Sequence, residues 1–96
     1  MHATVVSYKF KHDKMEEAVS IWRDSRLPIA TRQGFKIGLL LTGPNTGKGL
    51  GIGLWKTEAD ASAFENSGLF KQIVAKFGDV LAEPPVREQY KASVQA

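Results

Sequence analysis

The sequence predicts an α+β fold of the ferredoxin-like kind: an antiparallel four-stranded sheet in the order βαββαβ, with its helices on one face. Two observations predict it. The first is a pair of apolar runs, FKIGLLLT and GLGIGLWK, joined by GPNTGK between Phe35 and Lys56, which reads as a central hairpin. The second is that helical periodicity on each side of this hairpin is bounded, at each end of the chain, by a run of period two. Right-handed crossovers around a hairpin bring all the strands into one sheet.

Residues 3–11 alternate Thr4, Val6, Tyr8 and Phe10 against Val5, Ser7, Lys9 and Lys11, a strand with one face more apolar than the other. Asp13 then reads as a helix N-cap, with Glu16 three residues on completing a capping box and suiting the positive end of the helix dipole. Met15, Ala18, Val19, Trp22 and Ile29 fall on one helical stripe, interrupted by Arg26. Pro28 either ends this helix or begins a fresh turn, and Gly34 stops any helical continuation beyond it.

In the hairpin, Gly43, Pro44, Asn45 and Gly47 turn the chain. Pairing Thr42 with Gly49 puts Ile37, Leu39, Leu41, Leu50, Ile52 and Leu54 on one face. The other face is nearly bare: it carries Gly38, Gly49, Gly51 and Gly53 with Leu40, and ends at the indole of Trp55. Glycines weaken a strand, so a stripe of them marks close approach of a packed element or of a ligand. Both readings stand at this point.

After the hairpin, Thr57 with Asp60 opens a short alanine-rich helix that carries Phe64, and Ser67 with Gly68 breaks it. A second piece, from residue 69 to about 82, directs Phe70, Ile73, Val74, Phe77, Val80 and Leu81 toward a core until Pro84 and Pro85 end it. Residues 86–94 alternate Val86, Tyr90, Ala92 and Val94 against Arg87, Gln89, Lys91 and Ser93, the last strand. Helices cover only one side of such a sheet, yet bulky apolar groups occupy both. An exposed apolar sheet face is an interface, so the sequence predicts a homodimer closed sheet against sheet by a two-fold axis.

Ninety-six residues make a single domain, 1–96, of modest stability margin. The absence of cysteine removes disulfides and thiolate metal sites and favours a reducing compartment. No apolar run approaches a membrane span and no signal peptide is visible, so a soluble, cytoplasmic protein is expected, with no membrane partner. The net charge of +3 is scattered, thirteen basic residues among ten acidic ones, and Lys9, Lys11 and Lys14 form no patch interleaved with aromatics. No nucleic-acid partner is expected.

Neither a metal nor another cofactor is expected. His2 and His12 sit at opposite ends of the first strand, and the acids Glu16, Glu17, Glu58 and Asp60 are explained by helix first turns. The segment GPNTGKG is one residue short of a phosphate-binding loop between its glycines, lacks the hydroxyl after the lysine, and leads into a strand. The candidate ligand-binding residues are Trp22 and Trp55 as aromatic walls, Tyr8 and Tyr90 as hydroxyls on apolar strand faces, and Arg26 as a permanent cation in an apolar stripe. Each has a plainer reading, as core or as a rim residue paired with a carboxylate such as Glu88.

Over nearly its whole length the chain resembles the antibiotic biosynthesis monooxygenase-like domains of the dimeric α+β barrel superfamily. The likeness is carried by LWKTEADASAFENSGLFKQ, residues 54–72, with Gly34, Phe35 and the glycine-bearing hairpin. It implies the dimeric barrel, and either oxidation of aromatic polyketides without metal or flavin, or haem degradation. The haem-degrading branch carries a Trp, an iron-ligating His and an Asn where this chain has Phe64, Val74 and about Ser7, and valine cannot ligate iron. The polyketide branch keeps a Trp at Trp55, with an Asn and a Tyr where this chain has Gly51 and Ala61. The expected function is therefore that of a cofactor-independent monooxygenase-like protein holding a small aromatic or quinone-like molecule between sheet and helices, its catalytic base unassigned. The alternative is a non-catalytic dimeric ligand-binding or interaction module.

Overall fold

The computed structural model describes residues 1–96. The chain runs β1 (His2–Lys9), α1 (Met15–Ala30), β2 (Phe35–Gly43), β3 (Lys48–Trp55), α2 (Glu58–Glu65), α3 (Gly68–Lys76), a 3₁₀ turn (Gly78–Val80) and β4 (Val86–Lys91). The sheet is antiparallel throughout, in the order β2-β3-β1-β4. This is the ferredoxin-like βαββαβ arrangement, with the second crossover split into two short helices.

The hairpin register is the one the alternation demands, with Thr42 opposite Gly49. The face toward the helices takes Thr4, Val6 and Tyr8 from β1, Gly38 from β2 and Gly49, Gly51 and Gly53 from β3, while β1 pairs Thr4 with Gly53, Val6 with Gly51 and Tyr8 with Gly49. A bulge between Phe35 and Ile37 breaks the alternation. Its extra residue, Lys36, brings Phe35 onto the same face as its partner Trp55, whereas strict period two would have sent it the other way.

The core lies at one end of the helix layer. Phe10, Ala18, Ile73, Phe77 and Val80 form one buried cluster, and Tyr8 stacks on Phe10 and Phe77 at ring separations of 5.3 and 5.4 Å. A second aromatic group occupies the other end, where Trp55 lies 5.2 Å from Phe64 and 5.3 Å from Phe35, and Phe64 meets Phe70 at 5.4 Å.

Several expectations need correction. Asp13 does not cap α1. It adopts a left-handed backbone at φ 70°, Lys14 takes the N-cap position, and no side chain bonds the first turn. Glu16 and Glu17 remain as dipole partners, and Lys14 pairs with Glu17 at 3.4 Å on the surface. Pro28 does not end α1, which continues to Ala30; it stands exposed in the last turn, where the hydrogen bond that its missing N–H forfeits is a single one. Ser67 both ends α2 and caps α3, its hydroxyl accepting from the Phe70 amide at 3.3 Å. Val74 faces solvent at 44% exposure, because the inner side of α3 is taken by Phe70 and Ile73, with Phe77 following at its C-cap. Finally, β4 stops at Lys91, not Val94. The last rung of its ladder sets Lys91 opposite His2, and the Ala92 amide donates to the Met1 carbonyl.

One glycine illustrates the tightness of the inner face. A Cβ on Gly49 would lie 2.5 Å from the Phe10 ring, whereas one on Gly78 would meet nothing within 4 Å. Gly49→Ala is therefore expected to cost about 1–3 kcal/mol in chemical denaturation, and Gly78→Ala to stay within about 0.5 kcal/mol of the parent. Equal costs would remove the steric account of the stripe.

Candidate functional site

Between the two aromatic clusters the helices stand off the sheet and leave a cavity of about 290 Å³. Its floor is the glycine stripe with Thr4 and Val6; Tyr8, Trp22 and Ile73 wall one side, and Phe35, Trp55, Phe64 and Phe70 the other. The stripe thus serves both readings. At Gly49 the space is filled by Phe10, and at Gly38, Gly51 and Gly53, which line the cavity, ring atoms of Phe35, Trp22, Tyr8 and Trp55 come within 3.0 to 3.2 Å of where a Cβ would stand.

The polar atoms of the cavity gather over this floor. A Cβ on Gly51 would lie 3.5 Å from both Tyr8 Oη and Trp22 Nε1, and one on Gly53 would lie 3.2 Å from Trp55 Nε1. None of these donors has a hydrogen-bond partner within the chain. No fully enclosed side-chain nitrogen or oxygen goes unpaired, so the three remain reachable, and for Trp55, 3% exposed, the opening is the cavity it lines. Burial pushes the Tyr8 hydroxyl up to about 12, which keeps it protonated and a donor at neutral pH.

Of the five residues singled out by sequence, the structure brings Tyr8, Trp22, Arg26 and Trp55 to this one cavity. Arg26 stands exposed at its mouth and makes no ion pair; Glu88, its suggested partner, lies on the opposite face of the sheet. Tyr90 is not in the cavity. It shares the outer face with Glu88, to which it donates at 2.6 Å, and that hydrogen bond, with the carboxylate's charge and slight desolvation, raises its pKa. The sequence reading missed Phe35, hidden by the bulge, and Glu65, an acid on a short helix that nothing in its spacing sets apart from a surface residue. Glu65 pairs with Arg87 of β4 at 3.2 Å and accepts from Thr4 of β1 at 3.5 Å.

No group of three or more His, Asp or Glu side chains is disposed to hold a metal ion. No helix is long and apolar enough to cross a membrane. A shallower depression of about 430 Å³, lined in part by Lys9, Leu41, Lys48, Leu50 and Glu83, is more open and reaches the outer sheet face.

No family model matches the sequence, and no curated protein matches it either. Solved structures do. A candidate antibiotic biosynthesis monooxygenase from Nitrosomonas europaea superposes with a TM-score of 0.86 at 21% identity, covering 98% of this chain and 100% of that one. A second such candidate, from Caulobacter crescentus CB15, gives 0.86 at 20% identity over 97% of this chain and 90% of that one. SnoaB, a cofactor-independent oxygenase from Streptomyces nogalater, gives 0.84 at 13% identity over 98% and 94%. The fold is that of the antibiotic biosynthesis monooxygenases. Shared over nearly the whole length, this monooxygenase fold supplies the sheet-and-helix frame; the side chains in the cavity are this chain's own.

The pKa of Tyr8 has a consequence for stability. Its phenol is neutral when protonated, and the folded state holds that proton more tightly than the unfolded chain, whose tyrosines titrate near pH 10. The contribution is fully present below about pH 10 and is lost as pH rises toward 12, by about 3 kcal/mol in all. Tyr8→Phe is expected to flatten the stability profile over this window in urea unfolding. A profile unchanged by the substitution would mean that the hydroxyl titrates normally.

Proposed function

We propose that the cavity binds a small aromatic or quinone-like carbonyl compound, and that the protein is a cofactor-independent monooxygenase-like member of its fold class. The observation that carries this reading is the row of unpartnered donors, Tyr8 Oη, Trp22 Nε1 and Trp55 Nε1, set over a glycine floor between aromatic walls. Flat rings suit the walls, and carbonyl or oxyanion oxygens suit the donors. Such donors favour the enolate or phenolate form of a bound ketone or phenol, the electron-rich species that reacts with dioxygen unaided. Arg26 at the mouth adds a permanent positive charge toward the same anion. SnoaB, of the same fold, is a cofactor-independent oxygenase.

A non-catalytic ligand-binding module is the second reading, and a specific observation favours it. Where the polyketide-oxidising branch that the chain resembles carries an Asn and a Tyr, this chain has Gly51 and Ala61, and Tyr8, held protonated, is no base at neutral pH.

We also propose that two copies associate through the outer sheet face. Ile37, Leu39, Leu41, Leu50 and Val86 are exposed there by 39 to 59% and belong to one continuous apolar surface without a covering element. A two-fold axis would bury the face against itself.

Native mass spectrometry of freshly purified protein tests assembly and ligand together. A dimer with an additional organic mass is the expected spectrum; a bare dimer favours the non-catalytic module, and a monomer removes the sheet-to-sheet interface. The double variant Leu39→Lys, Leu41→Lys is expected to weaken association by on the order of 100-fold or more, since it puts two unpaired ammonium groups in an apolar contact. Unchanged dimerisation would assign the interface to another surface.

A further inference from the structure

Three of the polar groups reaching the cavity are donors, and the only carboxylate among its lining residues is Glu65. Its side chain is 10% exposed. Oε2 lies 3.2 Å from Arg87 Nη1 and Oε1 takes a long bond of 3.5 Å from Thr4 Oγ1. A carboxylate offers about four acceptor positions, so Glu65 keeps acceptor capacity while two strands hold it in place. A surface ion pair does not need this arrangement, because an exposed carboxylate would serve Arg87 equally well.

We propose that Glu65 is a specificity-determining residue that accepts a hydrogen bond from a ligand hydroxyl, so that the cavity selects hydroxylated aromatic ketones over the same ketones without the hydroxyl. This rests on the reading of the cavity as a site for an aromatic carbonyl compound. The placement of the groups along the floor gives the selection its geometry. Tyr8 Oη and Trp22 Nε1 converge over Gly51, and Trp55 Nε1 lies over Gly53, whose partner across the ladder is Thr4, the residue that bonds Glu65. Two residues along a strand separate these points by about 7 Å, close to the separation of the carbonyl oxygen and the para hydroxyl of an aryl ketone. A carbonyl oxygen over Gly51 takes the Tyr8 and Trp22 donors. A hydroxyl over Gly53 accepts from Trp55 and donates to Glu65, which uses both capacities of a phenol.

The test compares two probes, 1-tetralone and 6-hydroxy-1-tetralone, whose only difference is a hydroxyl para to the carbonyl carbon's point of attachment. Binding is read at neutral pH from the fluorescence of Trp22 and Trp55. The parent protein is expected to prefer the hydroxylated ketone by about tenfold or more, and Glu65→Gln to reduce that preference to about threefold or less while changing the affinity for 1-tetralone by less than about twofold. If E65Q loses its fold, Glu65→Asp, which keeps the charge beside Arg87 but withdraws it by one methylene, supplies the same comparison. Equal binding of the two ketones by the parent protein would overturn the role of Glu65 and leave the cavity reading intact. A loss of affinity for both ketones alike in the variant would reduce Glu65 to a structural partner of Arg87. Failure of both ketones to bind the parent protein would overturn the cavity reading, and this proposal with it.

Discussion

The absence of side chains on the inner face of the hairpin is the constraint on which the rest of the molecule depends. A helix packs onto a sheet by inserting its side chains among those of the strands, and over Gly38, Gly51 and Gly53 there is nothing to insert among. The rings of Tyr8, Trp22, Phe35 and Trp55 come down onto the backbone instead, with heavy atoms 3.0 to 3.2 Å from where the missing Cβ atoms would stand. Large rigid rings contacting the floor at its edges hold the helices away from its centre. The cavity is the space left between them, and its polar character is set by which ring atoms point inward.

The same economy determines the outer face. Because the inner face spends its hairpin positions on glycine, the aliphatic content of β2 and β3 lies on the other side, where Ile37, Leu39, Leu41 and Leu50 meet water. Covering it with a second sheet would supply the chain with the apolar burial that its own helices do not provide, which matters in a domain of this size. The cavity floor and the exposed aliphatic face are thus two sides of one alternation, and a one-residue slip of the hairpin would exchange them.

Much of this was legible in the sequence, and the features that escaped did so for identifiable causes. Strand alternation gave the register of the hairpin, the two faces and the meeting of Tyr8, Trp22, Arg26 and Trp55, because period two and period 3.6 assign sides without reference to tertiary structure. Alternation fails where a residue is added or where pairing ends. The bulge at Lys36 reversed the side of Phe35, and β4 ends at Lys91 with its last ladder pair, so the alternation read out to Val94 ran past the strand. Tyr90 was placed on an apolar face correctly, but that face was the outer one, and only the pairing of Ala3 with Tyr90 decides this. Asp13 had the composition of a cap without its backbone, since a left-handed φ turns the carboxylate away from the first amides. Glu65 was invisible for another reason: acids on short helices are common at surfaces, and this one is distinguished by Arg87 and Thr4, contributed by strands at opposite ends of the chain.

At the site itself, polar groups have changed places. In the branch that the sequence resembles, an Asn and a Tyr stand at the positions of Gly51 and Ala61, and their loss looks at first like the loss of the chemistry. Yet Gly51 is the point on which Tyr8 Oη and Trp22 Nε1 converge, each 3.5 Å from where a Cβ would be, so a Cβ alone would touch them at ordinary contact distance and a side chain as long as asparagine would compete for their place. Ala61, 1% exposed, takes up little of the space that a tyrosine would fill, and Glu65 lies one turn beyond it on the same helix. In this chain the unpartnered donors stand on β1, α1 and β3, as Tyr8, Trp22 and Trp55, and the one carboxylate lining the cavity, Glu65, on α2. The resulting site has donors at one end of its floor and a donor with an acceptor at the other. In the proposed site that asymmetry would orient a flat ligand, which a cavity of uniform donors would accept in either direction, and orientation would decide which carbon of a bound ketone lay open to attack.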